Sequence, residues 1–399
     1  MARCINDALP EEVFGVIFEE HAKLEWKAPL IDEQVCHQWR QTVLCSPRAW
    51  AHLRIVRNFT SAPSKLYQWL DRSGSAPLHI HIQAIDWTRD VEKALDQHYR
   101  RIQSIALRRR HVSFLENRSF PILQSLTIDS LNFNTPVIRW SACGTMPALR
   151  SLRASHIPMT TLPPNVFPPL RVLALSTADD CDSIIRNSYH SLTSLMLGRI
   201  SLQDSSQPLE FPSLRFLSLF KVKNIKHRMN VPALTTYQES DSMEGESFSV
   251  SLPSLIEYGI CRLEDKSPFN VTKLHQCYPD ISRLSVRALP SNVKLLLHSL
   301  SNQPTALPTL QIIAVDVVCN GMKYSREIME SMMKDVSVRN MASSVKMELC
   351  FDGMVRFPRY FGTVRVYINN GQGKLTSTLR TRILSLEDVS FILGLWLLC

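Results

Sequence analysis

Between residues 102 and 315, apolar side chains recur at i, i+3 and i+5, with first positions Ile102, Leu123, Leu149, Leu170, Leu192, Leu214, Leu234, Leu255, Ile281 and Leu310. Successive starts lie 21, 26, 21, 22, 22, 20, 21, 26 and 29 residues apart. Within one copy, such as Leu123/Leu126/Ile128 or Leu214/Leu217/Leu219, the i+3 and i+5 residues alternate inward on a short strand. The first apolar residue packs the turn that leads into that strand. Proline precedes many copies, as in Phe120-Pro121, Met146-Pro147, Phe211-Pro212, Val231-Pro232, Leu252-Pro253 and Leu307-Pro308. Its fixed φ sets the turn, and its missing donor costs least at a strand start. Each such unit buries its apolar face only against its neighbours, which predicts a stack of short parallel strands.

These steps fall in the window of about 20 to 29 residues that marks leucine-rich repeats, so the expected class is an α/β repeat. Position i+8, usually Asn or Cys in such repeats, holds apolar residues: Leu131, Ile157, Ala178, Ile200, Val222, Leu263, Leu289 and Val318. The copy starting at Leu234 carries Glu239 where an inward aliphatic belongs, which predicts an irregular turn there. Before the repeats, Ser64 to Leu70 and Thr88 to Arg100 read as helices flanking a strand Leu78 to Ile82. Asn292 to Leu300 and 325–341 read as further helices. The tail alternates like strands at Val345/Met347/Leu349 and Val364/Val366/Ile368, with a turn signal at Asn369-Asn370-Gly371 and an apolar end from Phe391.

At the amino terminus, Leu9-Pro10-Glu11-Glu12 sets proline at a first helical position and two acids in the first turn, which favours a helix. Val13, Val16 and Ile17 follow at i, i+3 and i+4 with Phe14 and Phe18 alongside, an apolar face wider than one short helix covers alone. A second helical pattern places Val35, Trp39 and Val43 four apart, is stopped by Ser46-Pro47, and is followed by Trp50, Leu53 and Ile55.

The strings LPEEVFGVIF and VCHQWRQTVLCSPRAW resemble the F-box of mushroom-forming fungi, whose pattern is LPxE(I/L/V)xxxIF followed by VCxxWRxxxxxxPxxW. The resemblance implies a three-helix unit that docks on a Skp-type adaptor and so joins a cullin-RING ubiquitin ligase. Carried onto this chain, the adaptor face comprises Leu9, Pro10, Val13, Ile17, Val35, Cys36, Trp39 and Trp50. Glu19 to Glu33 departs from the family pattern, being charged where a leucine-rich middle helix belongs. The resulting fold expectation is a small helical F-box over residues 1–57, an irregular leucine-rich-repeat solenoid with a parallel concave sheet over 58–344, and a strand-rich tail or cap over 345–399. A plain helical cap on the repeats is the alternative for the first segment.

Composition narrows the chemistry. Glycine supplies 12 of 399 residues, below the usual share of about 7%, which leaves little material for phosphate-cradling loops. Gly371-Gln372-Gly373-Lys374 lacks the remaining positions of such a loop and reads as a turn. The ten cysteines never form a CxxC pair, which disfavours a zinc ribbon or redox dithiol; they read as reduced, buried, small hydrophobes. No apolar stretch reaches the length of a membrane span, and no secretory signal opens the chain, so an intracellular place in cytoplasm or nucleus is expected. The net charge of +9 is spread, with its longest basic run at Arg108-Arg109-Arg110, which makes nucleic acid the least favoured partner. His79 and His81 share one strand face, read as solvated and not as a metal site. No catalytic set stands out, and neither a cofactor nor an enzymatic activity is expected.

The function expected is therefore that of a substrate-recognition subunit of a Skp-cullin-F-box ubiquitin ligase, in which the repeats hold a protein target. The alternative is a leucine-rich interaction scaffold without a ubiquitin role. Outward positions i+2, i+4 and i+6 give an apolar group at Val172, Ala174, Met196, Phe216 and Phe220, the expected target-binding patch.

Overall fold

A computed structural model describes residues 9–55, 63–82, 89–129, 143–155, 167–176, 181–199, 209–222, 229–240, 252–262, 271–289, 292–293, 295–296, 299–300, 307–318, 346–352 and 364–368. The amino-terminal helices set the frame. Helix α1 (Glu11–Leu24) starts after Pro10 and buries Phe14, Phe18 and Ala22, the stripe four residues apart. Helix α2 (Ala28–Asp32) is short and is tied to α1 by His21 Nδ1, 3.1 Å from Asp32 Oδ1. Helix α3 (His37–Leu44) is capped by Cys36, whose Sγ accepts the Trp39 N–H at 3.5 Å. The Trp39 ring closes the bundle, with its centroid 5.8 Å from that of Phe14 and 5.2 Å from that of Phe18.

A 3-10 turn (Pro47–Trp50) leads into β1 (His52–Ile55), and α4 (Pro63–Arg72) packs beside it. Trp50, expected on the adaptor face, is buried instead. Its Nε1 donates to the Val43 carbonyl at 2.9 Å, Trp69 meets it edge-on at 4.9 Å, and the Arg72 guanidinium lies 4.4 Å from its ring centre. Both of the latter partners come from α4, and together they make Trp50 the bolt between the helices and the sheet.

The chain divides into two compact units, Met1–Ser188 and Tyr189–Cys399. The boundaries expected at 57/58 and 344/345 lie outside the described residues. In the first unit, β1 pairs with β2 (Leu78–Ile82), then β3 (Ile102–Arg108), β4 (Ser125–Asp129), β5 (Ser151–Ser155) and β6 (Val172–Ser176), all parallel and in chain order. Between them lie α5 (Arg89–Asp96), 3-10 turns over Tyr99–Arg101 and Arg109–Leu115, and after β6 the helix α6 (Asp182–Ser188). Arg101 locks α4 to this sheet by donating to the carbonyls of Ala76 and Leu70 at 2.8 and 3.0 Å.

In the second unit, β7 (Ser194–Gly198) pairs with β9 (Phe216–Phe220), followed by β11 (Thr236–Ser240), β12 (Glu257–Arg262), β13 (Arg283–Ala288), β14 (Ile312–Val318) and β15 (Lys346–Asp352), all parallel. The last strand, β16 (Val364–Ile368), runs antiparallel on β15. The short strands β8 (Leu209–Glu210) and β10 (Met229–Asn230) form a separate parallel pair, and α7 (Val271–Cys277) lies between β12 and β13. Residues 292, 293, 295, 296, 299 and 300 are helical, as expected; the helix expected at 325–341, the turn at Asn369-Asn370-Gly371 and the apolar end lie outside the described residues.

The architecture is α/β, with parallel strands that pair in chain order. In all ten copies of the apolar pattern the first, fourth and sixth residues are buried, none more than 7% exposed. Alternation on the strand thus places one row of each sheet inside. Val222, one of the apolar i+8 positions, is buried as well. Just before it the chain turns through the left-handed region at Lys221 (φ 51°), and one copy earlier at Arg199 (φ 50°). Arg199 N–H donates to the Phe220 carbonyl at 2.7 Å and Lys221 N–H to Ser240 Oγ at 2.9 Å, bonds that hold this turn against the next one. Among the described residues β11 runs in unbroken register through Glu239 with both neighbours, and the chain turn that follows, where irregularity is expected, lies outside them.

Candidate functional site

The side of α1 opposite Phe14 and Phe18 is apolar and uncovered. Val13 is 40% exposed, Val16 60% and Ile17 42%; these residues form the i, i+3, i+4 set that a helix brings onto one patch. Leu24, Ile31, Val35 and Leu44 on the neighbouring helices and connectors are exposed too. Covering what remains open of Val13, Val16 and Ile17 would contribute roughly 2–5 kcal/mol to an association, since full burial of an aliphatic side chain is worth about 1.5–3 kcal/mol.

The bundle is pinned by polar contacts as well. Lys23 reaches Glu19 at 3.1 Å and Glu20 at 2.7 Å, and Arg48 lies 3.6 Å from Glu19. Burial works to raise the Glu19 carboxyl, yet Lys23 and Arg48 together outweigh it and bring the group below its ordinary value. At Asp32 burial wins over the attraction of His21, and the carboxyl sits above its ordinary value.

The residues expected on the adaptor face therefore divide. Pro10, Val13, Ile17 and Val35 are exposed and Leu9 is half-buried. Cys36 caps α3, Trp39 is half-buried against the phenylalanines, and Trp50 belongs to the core. Val16, named in the apolar face of the first helix but not in the adaptor set, joins the surface together with Leu24, Ile31 and Leu44, which were not singled out. Their exposure follows from which α1 stripe the bundle buries, and two interleaved apolar stripes in one helix leave that choice to tertiary packing.

The expected target patch divides as well. Val172, Met196 and Phe216 are half-exposed on outward strand positions. Ala174 and Phe220 are corrections: Ala174 is 1% exposed, and Phe220, at the end of β9, is 9% exposed with the Lys221 ammonium 5.7 Å from its ring centre. Val172 and Ala174 belong to the first unit, the other three to the second.

Glu239 is the polar exception inside the second unit. Its carboxylate accepts the Tyr237 hydroxyl at 2.7 Å and also the Tyr258 hydroxyl. Tyr278 adds a third ring, 5.1 Å from Tyr258 and 6.2 Å from Tyr237. The substitution of a carboxylate for an aliphatic is thus matched by Tyr237, two residues earlier on β11, and by Tyr258, the register partner of Tyr237 on β12, which satisfy a group that would otherwise be costly to bury. Burial, reinforced by Glu239, pushes the Tyr237 hydroxyl well above its usual range, and the same two causes raise Tyr278.

Of the cysteines, Cys181 and Cys261 are buried as expected, whereas Cys45 is exposed and Cys36, Cys143 and Cys277 are half-buried. His79 stacks on His52 at 4.6 Å, and no group of three metal-ligating side chains occurs among the described residues. No helix among them is long and apolar enough to cross a membrane. No protein-family profile matches the chain, and no curated protein matches it either.

Proposed function

We propose that the chain is the substrate-recognition subunit of a Skp-cullin-F-box ubiquitin ligase, with its amino-terminal helices as the F-box and its parallel-strand units as an irregular leucine-rich-repeat receptor. The observation that carries the reading is the uncovered aliphatic patch of Val13, Val16 and Ile17 on a helix whose other side is fully packed. That patch lies within the string that resembles the F-box, and a folded helix with two apolar sides needs a partner for the second. The chain itself performs no chemistry in this scheme. It holds a target near the ligase's transfer machinery, and proximity supplies the rate.

The test is capture of a Skp-type adaptor by the full chain. Wild type retains the adaptor, while Val16→Asp loses at least about tenfold in affinity with little change in melting temperature, because Val16 is the most exposed of the three side chains. Ile17→Asp weakens capture in the same direction. Failure of wild type to capture the adaptor removes the F-box function and leaves an interaction scaffold without a ubiquitin role, and equal capture by wild type and the two variants removes this patch as the docking face.

A further inference from the structure

The outward side of the first unit's sheet carries a charge pattern that the adaptor face does not use. One register across the strands begins with His52 and His79 and continues through Ser104, Ser125 and Ser151. The parallel register two residues on begins with Arg54 and His81 and reaches Thr127 and Arg153. All these side chains are half-exposed. Arg108 stands beside Asp129, which also accepts Ser155 Oγ at 3.2 Å, so that end of β3 and β4 is close to neutral. Strands β5 and β6 contain no acidic residue, and exposed Arg150 and Arg171 precede them on adjacent chain turns, where Arg171 N–H donates to the Arg150 carbonyl at 2.8 Å.

We propose that this sheet face docks an extended acidic peptide segment of the target protein, its carboxylates meeting Arg54 and His81 at one end and Arg153 at the other. Arg54 and Arg153 are four strand spacings apart, about 19 Å, and an extended peptide covers that distance in about six residues. The serine and threonine hydroxyls between the two ends donate to carboxylates. A single-stranded nucleic acid would call for aromatic platforms along the same track, and the positions between the ends carry Ala106 and the hydroxyls of Ser104, Ser125 and Thr127 instead. Side chains already held by neighbours suit this task, because less freedom is lost on binding. The inference rests on the receptor reading only in naming the ligand as part of a captured target; peptide binding itself needs no adaptor.

The experiment uses the full chain and fluorescence anisotropy with three labelled probes: an Asp/Glu-rich peptide of about twelve residues with acidic clusters about six apart, its Asn/Gln counterpart, and a single-stranded oligonucleotide of similar length. The acidic peptide binds most tightly, and its affinity drops at least about tenfold in Arg54→Glu/Arg153→Glu and on raising salt, while Lys65→Glu on the exposed side of α4 leaves it unchanged. The milder Arg54→Gln/Arg153→Gln variant, checked for an unchanged melting temperature, weakens binding in the same direction. Equal binding of the neutral peptide, tighter binding of the oligonucleotide, or indifference to both arginine variants overturns the proposal. Adaptor capture, measured separately, reports on the ligase reading alone.

Discussion

At the residue scale, Glu239 illustrates how one position reads differently in sequence and in space. In the sequence it breaks an aliphatic pattern; in the sheet, Tyr237 on the same strand and Tyr258 on the next supply the donors that keep the pattern intact. The misfit was legible, but its remedy was not, because a tyrosine at an inward position looks like any other large apolar residue. The raised hydroxyls of Tyr237 and Tyr278 make a testable statement about alkaline stability. In the unfolded chain both ionise near pH 10, whereas in the folded chain they stay protonated well above it. Their contribution is complete below pH 10 and declines as pH rises beyond it, with a combined slope approaching about 2.7 kcal/mol per pH unit. Denaturant titrations between pH 9 and 11 should show that loss, and Tyr278→Phe should flatten it; equal slopes in the two proteins contradict the assignment. Arg199 and Lys221 add a second lesson. The left-handed turns they occupy normally advertise themselves through glycine, and here nothing in the sequence marks them.

At the scale of the element, α1 carries two apolar stripes and only the phenylalanine stripe is buried. The helix itself was legible from Pro10, the two acids and the spacing. Which stripe would stay exposed depended on Trp39, from α3, choosing Phe14 and Phe18. Trp50 was misread for the same kind of reason, since its cover comes from Trp69 and Arg72, beyond the segment that suggested an adaptor contact. Truncating it tests this placement: Trp50→Ala should cost about 3–5 kcal/mol, the usual range for a buried aromatic. A loss below about 1 kcal/mol in chemical denaturation would return Trp50 to the surface. The short helices α2, α6 and α7 escaped notice because five to seven residues hold too few turns to show a period.

At the scale of the whole molecule, the strands of the ten repeat copies were legible because two inward residues per strand suffice to fix the face, whatever the connecting segments do, whereas β1, β8 and β10, with two to four residues, were not. The division into two compact units was not legible, because the apolar pattern passes Ser188 without a break. A cavity in one unit should therefore remain a local event. Leu217→Ala on β9 is expected to cost about 2–5 kcal/mol and to lower hydrogen-exchange protection on β7, β9 and β11, while β1 to β4 keep theirs. Uniform loss across both units would show that they unfold together. The chain-order pairing of the strands also bears on how the protein is made. A ribosome adds about 5–20 residues per second, so each new strand emerges roughly 1–5 s after the one it pairs with. Even a parallel pairing about a thousandfold slower than the microseconds of a β-hairpin keeps pace with that. Within each unit the nascent chain can lay every strand onto a finished edge as it appears, and never needs to wait for a distant partner still unsynthesised.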